Sequence, residues 1–81
     1  MKAHVFVTPK RTVLDPQGQT IAGALKGMGH GEIAGVRQGK FFEIDIAPGV
    51  ERSAVLASLD RIAAEVLSNP VIEEYRVEVL D

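Results

Sequence analysis

The chain has 81 residues, 46% of them hydrophobic, and a formal net charge of −2 at pH 7. This length predicts one small domain, residues 1–81, whose thin stability margin would be supplemented by docking to a partner or to a second copy. The charge argues against nucleic acid or an anionic membrane as a partner, and the absence of cysteine excludes disulfides, thiolate metal sites and thiol nucleophiles.

The first predicted element is a strand, because apolar and polar side chains alternate from Ala3 to Thr8. Pro9 ends this strand. A basic loop that contains Lys10 and Arg11 then leads to the start of the first helix.

The start of this helix, Val-Leu-Asp-Pro-Gln-Gly, is the most informative stretch of the chain. Asp15 is a strong N-cap, because its carboxylate can accept hydrogen bonds from the free backbone N–H groups of the first turn. Pro16 suits the first helical position, where a missing N–H is harmless. Gly18, which follows Gln17, lowers the helix propensity by about 1 kcal/mol relative to Ala, so it indicates close packing or contact with a partner.

Apolar residues at helical spacing continue the first helix until the glycine-rich segment Gly27–Gly31 ends it. Residues 33–38 and 40–46 are then predicted to form two strands, joined as a hairpin by a tight turn at Gly39.

A longer amphipathic helix is predicted from the spacing of Val55, Leu59, Ile62 and Val66, and Asn69-Pro70 ends it. Alternation from Tyr75 to Val79 predicts a final strand.

The order strand, helix, strand, strand, helix, strand predicts an α+β, ferredoxin-like βαββαβ fold. This fold is a four-stranded antiparallel sheet with two helices on one face. The other face of the sheet would be uncovered and would carry His4, Phe6, Phe41, Glu43, Asp45, Arg76 and Glu78.

No catalytic or metal-binding constellation is expected. His4 and His30 lack a second histidine at metal-ligand spacing. Glu43 and Asp45 share one face of a strand, but an open sheet face offers no pocket to separate the pKa values of an acid and a base.

The segment Gly35–Lys40 is not a phosphate-binding P-loop, since it leads into a strand and lacks the glycine spacing. It is similar to a Val-Gln-Gly segment of acylphosphatases, but their anion cradle follows the first strand. Arg37 and Lys40 stay open as contacts for an anion or a carboxylate.

RNA binding through aromatic side chains of the open sheet face is disfavoured. Phe41 and Phe42 are adjacent, so that one of them must point into the core. Carboxylates on the same face, such as Glu43, would repel phosphates.

Three motifs, Lys10–Gly18, Val36–Lys40 and Asn69–Tyr75, occur in this order and together extend over most of the chain. At these spacings they closely resemble PurS, the small subunit of bacterial and archaeal phosphoribosylformylglycinamidine synthase. The resemblance implies a cytoplasmic, non-catalytic assembly subunit in purine biosynthesis that binds no cofactor by itself.

The resemblance also implies a homodimer that bridges a glutaminase subunit (PurQ) and a large synthetase subunit (PurL) and supports ammonia transfer. The complex would use ATP and Mg. Neither nucleic acid nor a membrane is an expected partner.

Under this hypothesis the partner subunits contact the three motifs. The expected contact residues are Lys10, Arg11, Asp15, Pro16, Gln17, Gly18, Arg37, Gly39, Lys40, Asn69, Pro70 and Glu73. Arg37 is the favoured contact, because its guanidinium fork suits carboxylates. For Asp15, Gly39 and Pro70, purely local roles in capping, turning and ending a helix are equally open.

An alternative function is a small ligand-binding regulatory module, which the glycine-rich loop after the first helix favours. Dimerisation through the open sheet face and through an edge strand are both open at this point.

Overall fold

In the computed structural model, which describes residues 1–80, three antiparallel strands form one sheet. The strands are β1 (Lys2–Pro9), β2 (Lys40–Asp45) and β3 (Glu73–Leu80), and β1 lies between the other two. This central position agrees with the alternation in β1, whose three inward residues are fully buried.

Two helices connect the strands. Helix α1 (Pro16–Gly27) follows β1, and helix α2 (Arg52–Ile62) continues into a π-helical turn, Ala63–Leu67, before β3. Neither helix in the described part of the chain is long and apolar enough to cross a membrane. The predicted α+β class is confirmed.

The core lies between β1 and α2. Its fully or almost fully buried residues are Ala3, Val5 and Val7 of β1, Val55 and Leu59 of α2, and Ala63 of the π-helical turn. Half-buried side chains of the outer strands, among them Phe42, Ile44 and Tyr75, complete it, on the faces that the alternation predicts.

Two residues from which the amphipathic second helix is predicted are exposed, Ile62 by 39% and Val66 by 74%. The residues that face the sheet are Val55, Leu59 and Ala63, which lie four apart. The π-helical turn begins at Ala63 and continues the four-residue spacing to Leu67, which is half-buried against the core.

The sheet of the described chain has three strands, so the predicted fourth strand and its hairpin are not seen. Residues 33–39 have no regular secondary structure. The backbone N–H of Gln38 donates to the Asp15 carboxylate. This segment therefore makes a backbone hydrogen bond at the start of α1 and does not pair with the edge of β2.

Helix α1 begins at Pro16 behind the Asp15 cap and ends at Gly27, as predicted, but it does not lie on the sheet. The longest dimension of the molecule is 51 Å. An eight-residue strand spans about 26 Å and a twelve-residue helix about 18 Å, so that a helix extending beyond the sheet accounts for this length. The prediction of two helices on one face therefore differs from the structure of the single chain.

Candidate functional site

The three motifs meet at one end of the sheet, where β1 ends and β2 and β3 begin. Lys40 pairs with Val7 of β1, and Glu73 pairs with Pro9. The backbone N–H of Lys10 donates to the Ile72 carbonyl oxygen at 2.9 Å, which joins the first motif directly to the third.

One carboxylate joins the first motif to the second. Oδ1 of Asp15 accepts a hydrogen bond from the Gly18 N–H at 3.1 Å, and Oδ2 accepts one from the Gln38 N–H at 2.8 Å. These two bonds, the Gln38 bond first, lower the pKa of Asp15 below its ordinary value of 3.8, and the charge of Arg37 adds a smaller effect. Both oxygens are thus already in use within the chain.

Two glycines allow the motifs to approach so closely. A methyl group on Gly18 would overlap the Val36 carbonyl oxygen and the Asp15 carboxylate. A methyl group on Gly39 would overlap the Val7 carbonyl oxygen and crowd Thr8. Close packing against the second motif therefore explains why a residue of low helix propensity, Gly18, lies in the first turn of α1.

Arg37 is held by its own chain. Its guanidinium donates to the Pro9 carbonyl oxygen and lies 3.4 Å from the Glu74 carboxylate. Sequence reasoning missed Glu74 as the partner of Arg37. The adjacent carboxylates Glu73 and Glu74 in the third motif were the signal that could have indicated an ion pair with a cation of the second motif. The guanidinium therefore serves first to tie the second motif to the ends of β1 and β3.

The third motif forms a closed turn. The Asn69 N–H donates to Oε1 of Glu73 at 2.8 Å, and the Asn69 side-chain oxygen accepts a hydrogen bond from the Val71 N–H at 3.1 Å. Lys40 Nζ lies 3.7 Å from the second oxygen of Glu73, and its side chain is more than half exposed. Pro70 is exposed within this turn.

Between the first and second motifs lies an open cleft of about 450 Å³, which we call the basic cleft. It is lined by Lys10, Arg11, Thr12, Val13, Leu14, Asp15, Gln19, Val36 and Arg37. Within residues 1–80, the side chains of Lys10 and Arg11 form no ion pair or hydrogen bond, so that both charges are available.

Chemically, the basic cleft is suited to recognition. Its lining offers two unpaired cations, the exposed side chain of Leu14 and no histidine. No group of His, Asp or Glu in the described part of the chain is arranged to hold a metal ion. Pro16 and Gln17 are exposed on the adjoining first turn of α1. Such a cleft can bind carboxylates or phosphates that another molecule presents.

Comparison with known proteins gives a consistent result. Residues 2–81 match the family model described as "PurS: Phosphoribosylformylglycinamidine (FGAM) synthase". The chain is 46% identical over 76 residues to the phosphoribosylformylglycinamidine synthase subunit PurS of Mycobacterium leprae (strain TN), which covers 94% of this chain and 91% of that protein.

Two solved structures resemble the whole chain. PurS of B. subtilis, in its C2 crystal form, has 39% identity and a TM-score of 0.83, with 99% of this chain and 98% of that chain covered. A chain in the structure of PurLQS from Thermotoga maritima has 28% identity and a TM-score of 0.86, with 98% and 95% covered.

Proposed function

This chain belongs to the PurS family, and from that membership we propose that it bridges the glutaminase (PurQ) and the ATP-dependent synthetase (PurL) of phosphoribosylformylglycinamidine synthase. It is a subunit of that enzyme in purine biosynthesis. Its contribution is to assemble the complex and to support the transfer of ammonia from the glutaminase to the synthetase.

The observation that carries this proposal is the likeness to a chain of PurLQS, a structure named for all three subunits. That likeness extends over 98% of the present chain. We therefore expect this small chain to carry a surface that docks onto a larger subunit.

The basic cleft is the docking surface that we propose. Lys10 and Arg11 carry charges that the described chain does not neutralise, and Leu14 beside them is 66% exposed. A site with unpaired cations around an exposed apolar residue suits a partner that presents carboxylates around an apolar side chain.

The remaining predicted contact residues take two roles in this proposal. Asp15, Gly18, Arg37, Gly39 and Glu73 act indirectly, because their contacts within the chain hold the three motifs together. The residues that stay exposed around this framework touch the partner, and they are Pro16, Gln17, Lys40, Asn69 and Pro70.

The proposal includes three further elements. The working form is a homodimer, which gives a small chain two equivalent docking surfaces. ATP and Mg are used by the synthetase, and this chain binds neither alone. The complex works in the cytoplasm.

The test is reconstitution of the amidation reaction from the three purified subunits. With glutamine as the nitrogen donor, omission of this chain should abolish the reaction. With a high concentration of ammonium as the donor, the synthetase needs no bridge, so omission should have little effect. Full glutamine-dependent activity without this chain would refute the proposal.

A further inference from the structure

Pro70, Val71 and Ile72 are consecutive apolar residues that the structure leaves exposed, and we call them the apolar tip. Among the large apolar side chains of residues 1–80, that of Val71 is the most exposed, at 76%, and that of Ile72 is 43% exposed. Single exposed apolar residues are common on protein surfaces, but an exposed run of this kind is unfavourable unless it has a function. The apolar tip is therefore a candidate for contact with another molecule.

The backbone of the third motif holds the apolar tip in one conformation. The N–H groups of Ile72 and Glu73 both donate to the Asn69 carbonyl oxygen, at 3.1 and 2.7 Å. Those of Asn69 and Val71 donate to the side chains of Glu73 and Asn69, respectively. Pro70 has no N–H group, and its ring fixes φ. The turn is thus already ordered, so that little conformational entropy is lost when another molecule binds the tip.

The apolar tip is continuous with the basic cleft and lies near cations. The Ile72 carbonyl oxygen accepts a hydrogen bond from the backbone N–H of Lys10, at 2.9 Å, and Lys10 lines the cleft. Next to Ile72, Glu73 lies 3.7 Å from Nζ of Lys40, whose side chain is 58% exposed. A molecule bound to the tip would therefore also meet the charges of the first and second motifs.

We propose that Val71 anchors the partner that docks onto the basic cleft, by entering an apolar pocket of that partner beside its carboxylates. The inference rests on the proposed function and adds to it an anchor residue and the kind of pocket that takes it. Burial of the valine side chain supplies affinity, and the neighbouring cations orient the partner.

Val66 offers a matched comparison within the same chain. It is a valine of nearly equal exposure, 74%, and it lies on the π-helical turn. Its chain neighbours are the exposed Glu65 and the half-buried Leu67, so Val66 is exposed singly and not as part of an apolar run. A change of either valine to alanine removes the same two methyl groups from an exposed position.

Isothermal titration calorimetry against the glutaminase and the synthetase tests the inference with Val71→Ala, Val66→Ala and the double variant Lys10→Gln with Arg11→Gln. The double variant identifies which large subunit docks onto the basic cleft. For that subunit Val71→Ala should raise the dissociation constant about tenfold, because two methyl groups are no longer buried. Val66→Ala should leave it unchanged. Circular dichroism verifies that each variant is folded, and sedimentation equilibrium verifies that its mass equals that of the unaltered chain.

Salt dependence separates an apolar anchor from a disturbed charge. Ions screen the attraction between exposed charges, so the effect of the double variant on affinity should shrink as the salt concentration rises. The effect of Val71→Ala should persist at high salt, since burial of methyl groups involves no charge.

Three results would overturn the inference while leaving the proposed function intact. One is equal affinity of the Val71→Ala and Val66→Ala chains for the subunit that the double variant binds more weakly. Another is weakened binding by Val71→Ala of only the other large subunit. The third is a lower mass of the Val71→Ala chain, which would assign the apolar tip to a second copy of this chain. Failure of the proposed function is distinct, because the unaltered chain would then bind neither large subunit.

Discussion

The Asp15 carboxylate accepts a hydrogen bond from the backbone N–H of Gln38, 23 residues later in the chain, at 2.8 Å. Its other oxygen caps α1 at Gly18. One side chain thus joins the start of α1 to the segment that precedes β2, across the basic cleft. An aspartate that looks like an ordinary helix cap in the sequence has a long-range role in the structure.

The pH dependence of stability should report this role. The Gln38 and Gly18 N–H groups favour the ionised form, so the pKa of Asp15 is lowered in the folded chain. Its contribution to the free energy of unfolding is complete above about pH 4 and is lost as the pH falls below 3.8 through the lowered folded-state pKa. Asp15→Asn should lower the free energy of unfolding at neutral pH and should make that free energy depend less on pH in the acid range. Urea unfolding measured from pH 6 to pH 2 tests both effects.

Asp45→Asn is the matched control, since it removes an exposed carboxylate on β2. It should leave the acid loss of stability in place. The account of Asp15 is wrong if both variants keep the same acid slope as the unaltered chain.

Two glycines of α1 should respond oppositely to alanine. Gly18→Ala gains helix propensity but overlaps the Val36 carbonyl oxygen, so it should destabilise by about 1–3 kcal/mol. Gly23→Ala meets open space and should stabilise by up to about 1 kcal/mol. Urea unfolding at one fixed protein concentration measures both. Equal stabilisation by the two changes would show that Gly18 is not held against the second motif.

Local patterns in the sequence were sufficient to predict the three strands of the sheet and the start and end of α1. Alternation located β1 and β3, and the Asp15-Pro16 pair located the helix start. The predicted hairpin at Gly39 is not seen, because residues 33–39 do not form a strand. Gly39 is required by its close approach to the Val7 carbonyl oxygen, and the segment before it is held to Asp15 by a hydrogen bond that no local pattern encodes.

The register of the second helix gives another prediction. Leu59 is 2% exposed and Leu56 is 43% exposed on the same helix. Leu59→Ala should therefore lower the free energy of unfolding by about 2–5 kcal/mol, and Leu56→Ala by about 1 kcal/mol or less. Thermal and urea unfolding of the two variants provide the comparison. Losses of similar size would contradict the four-residue spacing along α2 and the π-helical turn.

The arrangement of the three motifs was not predictable from the sequence. The three motifs were found in the sequence, yet nothing in it showed that Arg37 is held by Pro9 and Glu74. That contact depends on the sheet order, which brings the ends of β1 and β3 together. The sequence also does not show that Lys10 and Arg11 are unpaired, because that depends on which carboxylates the structure places near each cation.

Docking of the two large subunits onto the basic cleft is tested most directly by their affinity for charge-neutralised chains. Lys10→Gln with Arg11→Gln removes two cations from the cleft, and Lys2→Gln with Lys26→Gln removes two from elsewhere, so the net charges match. By isothermal titration calorimetry against the glutaminase and synthetase, the cleft variant should bind about tenfold more weakly than the control, with a weaker salt dependence. Equal affinities of the two double variants would contradict the account.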